Sequence, residues 1–403
     1  MTQRGDTIRL ATRGSDLAMR QAAAVREQLA DRRTDVELVE VSTTGDELSD
    51  ELVHRLGTTG AFVRSLDEKV LDGELDAAVH SMKDMPTELP ESMVVAGVPQ
   101  RASAGDVLVT PDGGTLEQLA HGATVGTSSL RRKAQLLAER PDLSVEPLRG
   151  NVDTRVEKLL APSVQAEHAA RQDAEDAESE VGDSWEADEF ERSVDTWFNE
   201  LSEIERRALG REVETEYDAI VLAAAGLERI GLNHHVPTTP LPTDDFVPAP
   251  GQGAIAITAV DGDTVDRINR TIDHPRTRVE TTVERTILAE LGGGCVAPIG
   301  IHAVLQGGVV HTTVRVLSQD GQEQIKATRE LPVERHDSAA VEFAEALAER
   351  GASELIQAAK KELDEDADGG RNDADEAEPD VASADADAAT AREQDDVETE
   401  ATE

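Results

Sequence analysis

Short apolar runs alternate with helical periodicities through the first 230 residues, and that alternation most constrains what this 403-residue chain can fold into. Ile8-Arg9-Leu10-Ala11 reads as a strand, and Thr12-Arg13-Gly14-Ser15 as the turn after it. Ser15 is the expected N-cap of a helix through Leu17, Ala18, Ala22, Val25 and Leu29, because its hydroxyl can accept from an unpaired N–H of the first turn. Val36 to Val41 reads as a second strand, and Phe62, Leu66 and Val70 recur at helical spacing. Leu75 to His80 is a buried-type strand running into Ser81-Met82-Lys83-Asp84. The pattern returns after Gly105. Ala123 to Val125 is a strand, Thr127-Ser128-Ser129 opens a helix through Leu130, Ala134 and Leu137, and Ser144 to Leu148 is a strand ending in Arg149-Gly150-Asn151. Tyr217 to Leu222 is another, followed by Gly226-Leu227-Glu228-Arg229. Strands alternating with helices imply parallel βαβ units, whose ligands sit beyond the carboxyl ends of the strands.

Basic residues collect at those ends. Arg13, Lys83, Arg131, Arg132, Arg149, Arg155 and Arg229 all lie just past a strand or one turn later. Any one of them reads as ordinary surface charge. Seven in so acidic a chain suggest a positive cleft between two α/β domains, made for a ligand with several carboxylates or phosphates. Arg131 and Arg132 fall in the first turn of a helix, where cations oppose the dipole at a cost of some tenths of a kcal/mol each. A bound anion, held by the arginines and the free N–H groups, is the expected compensation. Asp84 is an acid among these bases. It reads either as a salt-bridge partner or as a carboxylate aimed at a developing cation or an N–H. His80 reads as a core histidine.

The formal net charge is −44, lysine occurs only seven times, and aromatics make up 2 %. Such a surface suits concentrated salt, where the Debye length shrinks to about 3 Å at 1 M and carboxylate repulsion is hidden. The charge argues against a nucleic-acid partner. No apolar run approaches the roughly 18 residues of a membrane span, and no secretory h-region opens the chain, so a cytoplasmic protein is expected. The acid concentrates in residues 161–214 (17 acidic, 5 basic) and 364–403 (17 acidic, 2 basic). The tail has almost nothing to bury and is expected to be disordered. Segment 161–214 is read as a partly helical surface insertion, its amphipathic side made by Trp185, Phe190, Trp197, Phe198, Leu201 and Ile204. Neither segment carries a motif residue, so activity is expected to survive removal of either.

Phe246-Val247-Pro248-Ala249-Pro250-Gly251-Gln252-Gly253-Ala254 looks like a crossing between domains, with a strand from Ala254 to Thr258 beyond it. A helix from Thr281 to Leu291 then leads to Gly292-Gly293-Gly294-Cys295. Strands at Ile299–Leu305, Val309–Leu317 and Gln324–Leu331, with a helix from Ser338 to Leu363, suggest a small α+β domain. Cys295 is the sole cysteine, so it has no internal disulfide partner. A lone cysteine is more often a small buried hydrophobe. The glycine-rich loop favours an accessible nucleophile or attachment point.

Six stretches occur in order: Ala11-Thr12-Arg13, His80-Ser81-Met82-Lys83-Asp84, Gly126-Thr127-Ser128-Ser129-Leu130-Arg131-Arg132, Leu148-Arg149-Gly150-Asn151, Pro250-Gly251-Gln252-Gly253 and Gly293-Gly294-Cys295. Over roughly 6–160 and 215–360 the chain resembles the porphobilinogen deaminase (hydroxymethylbilane synthase) family. The resemblance implies two periplasmic-binding-protein-like α/β domains around a cleft plus a small α+β C-terminal domain. It implies head-to-tail joining of four porphobilinogens with loss of ammonia, giving hydroxymethylbilane for tetrapyrrole biosynthesis. It also implies a dipyrromethane cofactor held by a thioether to Cys295. By carry-over, Asp84 stabilises the cationic azafulvene, and Ser81, Lys83, Thr127, Ser129, Arg131 and Arg132 contact the cofactor. Arg13, Ser15, Arg149, Arg155 and Arg229 contact the pyrroles, with Phe62 beside them. No metal is implied. A monomer is expected, with transient contact with the next pathway enzyme.

The expected domains are 1–104 with 250–270, 105–249 including 161–214, 271–363, and the tail 364–403. Two departures stand out. Thr59 occupies a lid-like loop position where the family commonly carries lysine, and Gly14 replaces a commonly larger residue. A two-domain solute-binding protein is the main rival, but it predicts a signal peptide and gives Cys295 no task. A cysteine hydrolase ranks last, since no histidine sits in a motif with an orienting partner.

Overall fold

The computed structural model describes residues 6–31, 34–41, 61–181, 193–293 and 297–362. Thr59, Trp185, Phe190, Cys295, the Phe62 side chain and the tail 364–403 lie outside the described residues. Strands β1 (Asp6–Thr12), β2 (Thr34–Glu40), β3 (Ala77–Ser81) and β4 (Met93–Gly97) belong to a first sheet. Strands β5 (Asp106–Val109), β6 (Thr124–Gly126), β7 (Ser144–Glu146), β8 (Ala219–Ala223) and β9 (Thr238–Pro240) form a second. Strand β10 (Ile255–Val260) returns to the first sheet, and β11 (Ile299–Gln306), β12 (Val309–Leu317) and β13 (Gln324–Pro332) form a third.

The first sheet runs β2-β1-β3-β10-β4 and the second β7-β6-β8-β5-β9. In each, three neighbouring strands are parallel, as the strand–helix alternation requires. Each sheet is mixed rather than all parallel, because the strand that joins from the other sheet enters antiparallel: β10 against β3, and β5 against β8. Two chain crossings therefore connect the sheets, residues 98–105 and 241–254. The backbones of the crossings touch. At Gly253 (φ +81°) a Cβ would lie 2.5 Å from the Ser103 carbonyl oxygen, so a side chain is excluded there.

Helices cover the sheets. α1 (Asp16–Leu29) buries Ala22, Val25 and Leu29, and Ser15 caps it by accepting from the Ala18 N–H at 3.3 Å. α2 (Ala61–Leu71) buries Val63, Leu66 and Val70. α3 (Leu130–Glu139) and α4 (Val152–Val181) flank the second sheet. α5 (Val194–Glu200) and α6 (Glu203–Leu209) pack back onto α4. This corrects the reading of 161–214 as a surface addition. Trp197, Leu201, Ile204 and Ala208 lie in one core with Val156, Leu160, Val164 and Ile220. Glu157, fully buried, is ion-paired to Arg207 and Arg211. Arg171 lies over the Trp197 ring at 5.3 Å. Each buried leucine, isoleucine or valine here contributes roughly 1.5–3 kcal/mol, so the segment is part of the domain's stability.

α7 (Ala224–Ile230) follows β8, and α8 (Asp263–Ile272) closes the first sheet, burying Ile268 and Ile272. α9 (Pro275–Glu290) starts earlier than the expected Thr281. Pro275 takes the first helical position, where no N–H is needed, and the His274 side chain accepts from the Thr277 N–H. The third sheet is an antiparallel meander, β11-β12-β13, whose core of Ile301, Val314, Val316, Phe343 and Leu347 packs on Val283 and Ile287 of α9. The expected helix from Ser338 to Leu363 is two: α10 (His336–Ala348), then a helix over 352–362. Gly351, at φ +95°, breaks it in the left-handed region.

Candidate functional site

The carboxyl end of β3 turns at once into a short 3-10 segment, Met82–Asp84. Met82, its first residue, and Met85, just after it, are buried, and the Met82 N–H donates to the Ala254 carbonyl, which fixes the turn to the start of β10. Lys83 is thereby left partly buried and Asp84 exposed. Across from them, β6 runs into Thr127-Ser128-Ser129 and α3. Ser129 caps α3 by accepting from the Arg132 N–H, and its own N–H donates to Thr127 Oγ1 at 3.2 Å. Thr127 is interior, with its N–H on the Glu146 carbonyl.

Arg132 sits between the two sheets' turns. Its Nε and Nη2 donate to Asp106 Oδ1 at 3.1 and 2.8 Å, and Nη1 donates to the Val221 carbonyl. Arg155, from the first turn of α4, gives its Nε to the Gly150 carbonyl at 2.8 Å. These charges act on one another. The Arg155 guanidinium is pushed down to about 10 by burial and by Arg132, with Asp84 pulling it back, and it stays charged at neutral pH. Asp84 raises the Lys83 ammonium, but burial, Arg132 and Arg155 together carry its pKa below the ordinary lysine value. Lys83, Asp84, Arg132 and Arg155, drawn from both sheets, thus form one cluster with an exposed carboxylate among cations.

Arg131 departs from the expectation. Both arginines are interior, 4 and 5 % exposed, but only Arg132 acts on Lys83 and Arg155; Arg131, one residue earlier and so about 100° around the helix, is tied to the second crossing. Nη2 donates to Asp106 Oδ2 at 2.8 Å, and Nη1 to the Val247 carbonyl and Gln135. The anion that offsets two cations at the start of a helix is the chain's own Asp106, 1 % exposed, not a ligand. Burial alone would raise the Asp106 carboxyl, yet Arg131 and Arg132 hold it down at about 2.

The remaining positions are less uniform. Arg13 and Arg149 are partly buried at the ends of β1 and the 144–148 strand region. The Ser15 hydroxyl is engaged as the α1 cap. A Cβ at Gly14 would meet the tip of the Glu40 side chain, which fills the space of the expected larger residue. Arg229, on α7, donates to the Gly253 carbonyl at 2.7 Å, so it also braces the second crossing, and burial lowers its pKa. Ser81 is partly buried at the end of β3. His80 is a core residue: its Nε2 lies 2.8 Å from Asp67 and 3.1 Å from Thr258 Oγ1. The chain enters the Cys295 loop through Leu291, buried in the third core.

Sequence reasoning missed Asp106, Gln252, Arg101 and Glu284. Arg101, in the first crossing, forms a two-pronged pair with the fully buried Glu284 of α9 at 2.8 and 3.1 Å. Glu284 also accepts from the N–H groups of Gly251 and Ala303, joining the second crossing and β11. The one signal available was a glutamine between two glycines in an otherwise apolar crossing.

A family model described as "Porphobilinogen deaminase, dipyromethane cofactor binding domain" matches residues 8–171 and 202–267, and one described as "Porphobilinogen deaminase, C-terminal domain" matches 279–356. The first passes over 172–201 only, well inside the 161–214 expected from charge. A "Probable porphobilinogen deaminase" of Halobacterium salinarum is 52% identical, over 88% of this chain and 98% of that protein. One of Methanococcoides burtonii is 36% identical, over 88% and 97%. A "Porphobilinogen deaminase" of Campylobacter hominis is 33% identical, over 88% and 98%.

Proposed function

The chain belongs to the porphobilinogen deaminase family, and from that premise we propose that it joins four porphobilinogens head to tail, one ammonia leaving per ring, to give hydroxymethylbilane. The observation that carries the reading is the turn after β3, with Lys83 partly buried and Asp84 exposed, under the electrostatic influence of Arg132 and Arg155 from the second sheet's turns. Every pyrrole of substrate and product bears two carboxylates, and three cations gathered near one carboxylate are suited to receive them.

The donor set fits a dipyrromethane cofactor. Lys83 and Arg132 are the residues best placed to hold its carboxylates, with Ser81 and Ser129 beside them. Arg131 and Thr127, which carry-over also nominates, are interior, as Arg132 is, and support the site from beneath. The thioether to Cys295 is part of the proposal. When bound, the group supplies a covalently anchored primer pyrrole to which the substrate rings are added.

Asp84 then has a defined task. The C–N bond of the substrate's aminomethyl group breaks, the electron pair leaves with ammonia, and the ring is left cationic. The amine is already protonated near neutral pH, so charge stabilisation matters more than a strong acid. A fixed carboxylate beside the ring provides it, and can accept from the pyrrole N–H. Arg13, Arg149, Arg155 and Arg229 would hold the carboxylates of incoming and growing rings, with Ser15 and Phe62 at their margin. The same reading makes the enzyme a monomer of the cytoplasm in transient contact with the next pathway enzyme. Its acidic surface suits concentrated salt.

The test is to incubate the purified full-length protein with porphobilinogen in molar salt. Four ammonia per hydroxymethylbilane supports the reading; no porphobilinogen consumption overturns it.

A further inference from the structure

Gln252 is 1 % exposed and touches both chain crossings that connect the first two sheets. Its Nε2 donates to the Ala104 carbonyl at 2.5 Å and to Asp106 Oδ1 at 2.9 Å, both at the end of the first crossing. Its own carbonyl accepts from Arg101 Nε at 2.7 Å. Its Oε1 lies 3.4 Å from Arg131 Nη2.

Asp106 Oδ1 therefore receives three donors: Nε and Nη2 of Arg132, and the Gln252 amide. Arg132 also acts electrostatically on Lys83 and Arg155, whose pKa values burial and this neighbouring guanidinium lower. The guanidinium is held in that cationic cluster by the carboxylate behind it, and the carboxylate is aimed by Gln252. We infer that Gln252 is a positioning residue, acting through Asp106 to set where Arg132 meets the ligand carboxylates. Because Gln252 bridges the two crossings, the position of Arg132 is tied to the geometry of the links between the sheets. The inference rests on the proposed function, in which Arg132 holds the anchored end of the growing chain.

Gln135 provides a matched control. It is also a fully buried amide, donating to the Val247 carbonyl at 3.0 Å and accepting from Arg131 Nη1 at 3.2 Å, but it does not touch Asp106. Gln252→Met and Gln135→Met each remove one buried amide of the same network. In the full-length enzyme in molar salt, both should lower Tm similarly. Gln252→Met should in addition lower kcat about tenfold, since small misplacement of a binding group is costly, with KM for porphobilinogen little changed, because the anchored end rather than the incoming ring is displaced. Gln135→Met should keep both kinetic constants within about twofold. If Gln252→Met does not accumulate folded, Gln252→Asn takes its place: it keeps a buried amide but is one methylene too short to reach Asp106, and the same split is expected.

Equal kinetics for the Gln252 and Gln135 variants would overturn the inference, as would a rise in KM at constant kcat. So would failure of both Gln252 variants to fold while Gln135→Met folds. Absence of turnover in the unsubstituted enzyme would instead bring down the proposed function, and this inference with it.

Discussion

Arg132 and Asp106 meet through two hydrogen bonds to one carboxylate oxygen, 3.1 and 2.8 Å long, in the interior between the two α/β sheets. Arg131 takes the other oxygen at 2.8 Å. One buried carboxylate thus serves two adjacent arginines with different duties: one faces the cationic cluster, the other ties α3 to the second crossing.

Arg131→Leu should therefore destabilise the protein. Relief of the unfavourable helix-dipole placement is worth only some tenths of a kcal/mol. Removing one partner from a buried ion pair costs about 3 kcal/mol or more. Denaturant unfolding in molar salt measures the difference; a variant as stable as the parent would contradict the paired geometry.

The same pair makes a stability prediction for acid. Asp106 has a folded pKa of about 2 against an ordinary 3.8, so its contribution is fully present above the ordinary value and is lost as pH falls through the folded one. That contribution amounts to about 2 kcal/mol. The stability gap between the parent and Asp106→Asn should be constant near neutrality and shrink between about pH 4 and pH 2. A gap independent of pH across that window would contradict the ionised assignment.

Asp84→Asn should leave the fold intact, since Asp84 is exposed and lies outside the core. Turnover should fall by about 10²–10³, the usual effect of losing a preorganised charge contact, roughly 2.7–4 kcal/mol. A variant within a fewfold of the parent's kcat would remove Asp84 from the chemistry.

Two deletions separate the acidic insertion into its parts. Removing 161–214 takes away Trp197, Leu201, Ile204 and Ala208 from the second domain's core and leaves Glu157 without Arg207 and Arg211. That variant should not fold. Removing only 172–192 with a short linker spares those contacts, and activity in high salt should persist. Folded, active protein after the larger deletion would contradict the packing described.

Much of the frame was legible in the sequence because apolar runs and caps are local signals. β1, β3, β6, β8 and the Ser15 and Ser129 caps follow from neighbours within four residues. β4, β5 and β9 were missed, since all are short, and β5 pairs antiparallel with a strand more than a hundred residues away. The motif turns were readable, but the direction of each arginine was not. Arg131 and Arg132 are adjacent, and only the pairing with Asp106, 25 and 26 residues distant, decides which faces the cluster. Gln252 pairs with Asp106 across 146 residues, which no local pattern reports. The extent of the insertion was misjudged because net charge was read as exposure. An acidic helix can still bury one apolar stripe.

In the proposed mechanism this cationic cluster serves a dipyrromethane anchored at Cys295, the chain's one thiol. Intact mass spectrometry of the purified full-length protein, followed by peptide mapping, tests it most directly. The mass should exceed that of the sequence by a two-pyrrole adduct, located on the peptide containing Cys295 and absent from Cys295→Ala, which should make no hydroxymethylbilane. Fully active enzyme with an unmodified Cys295 would contradict it.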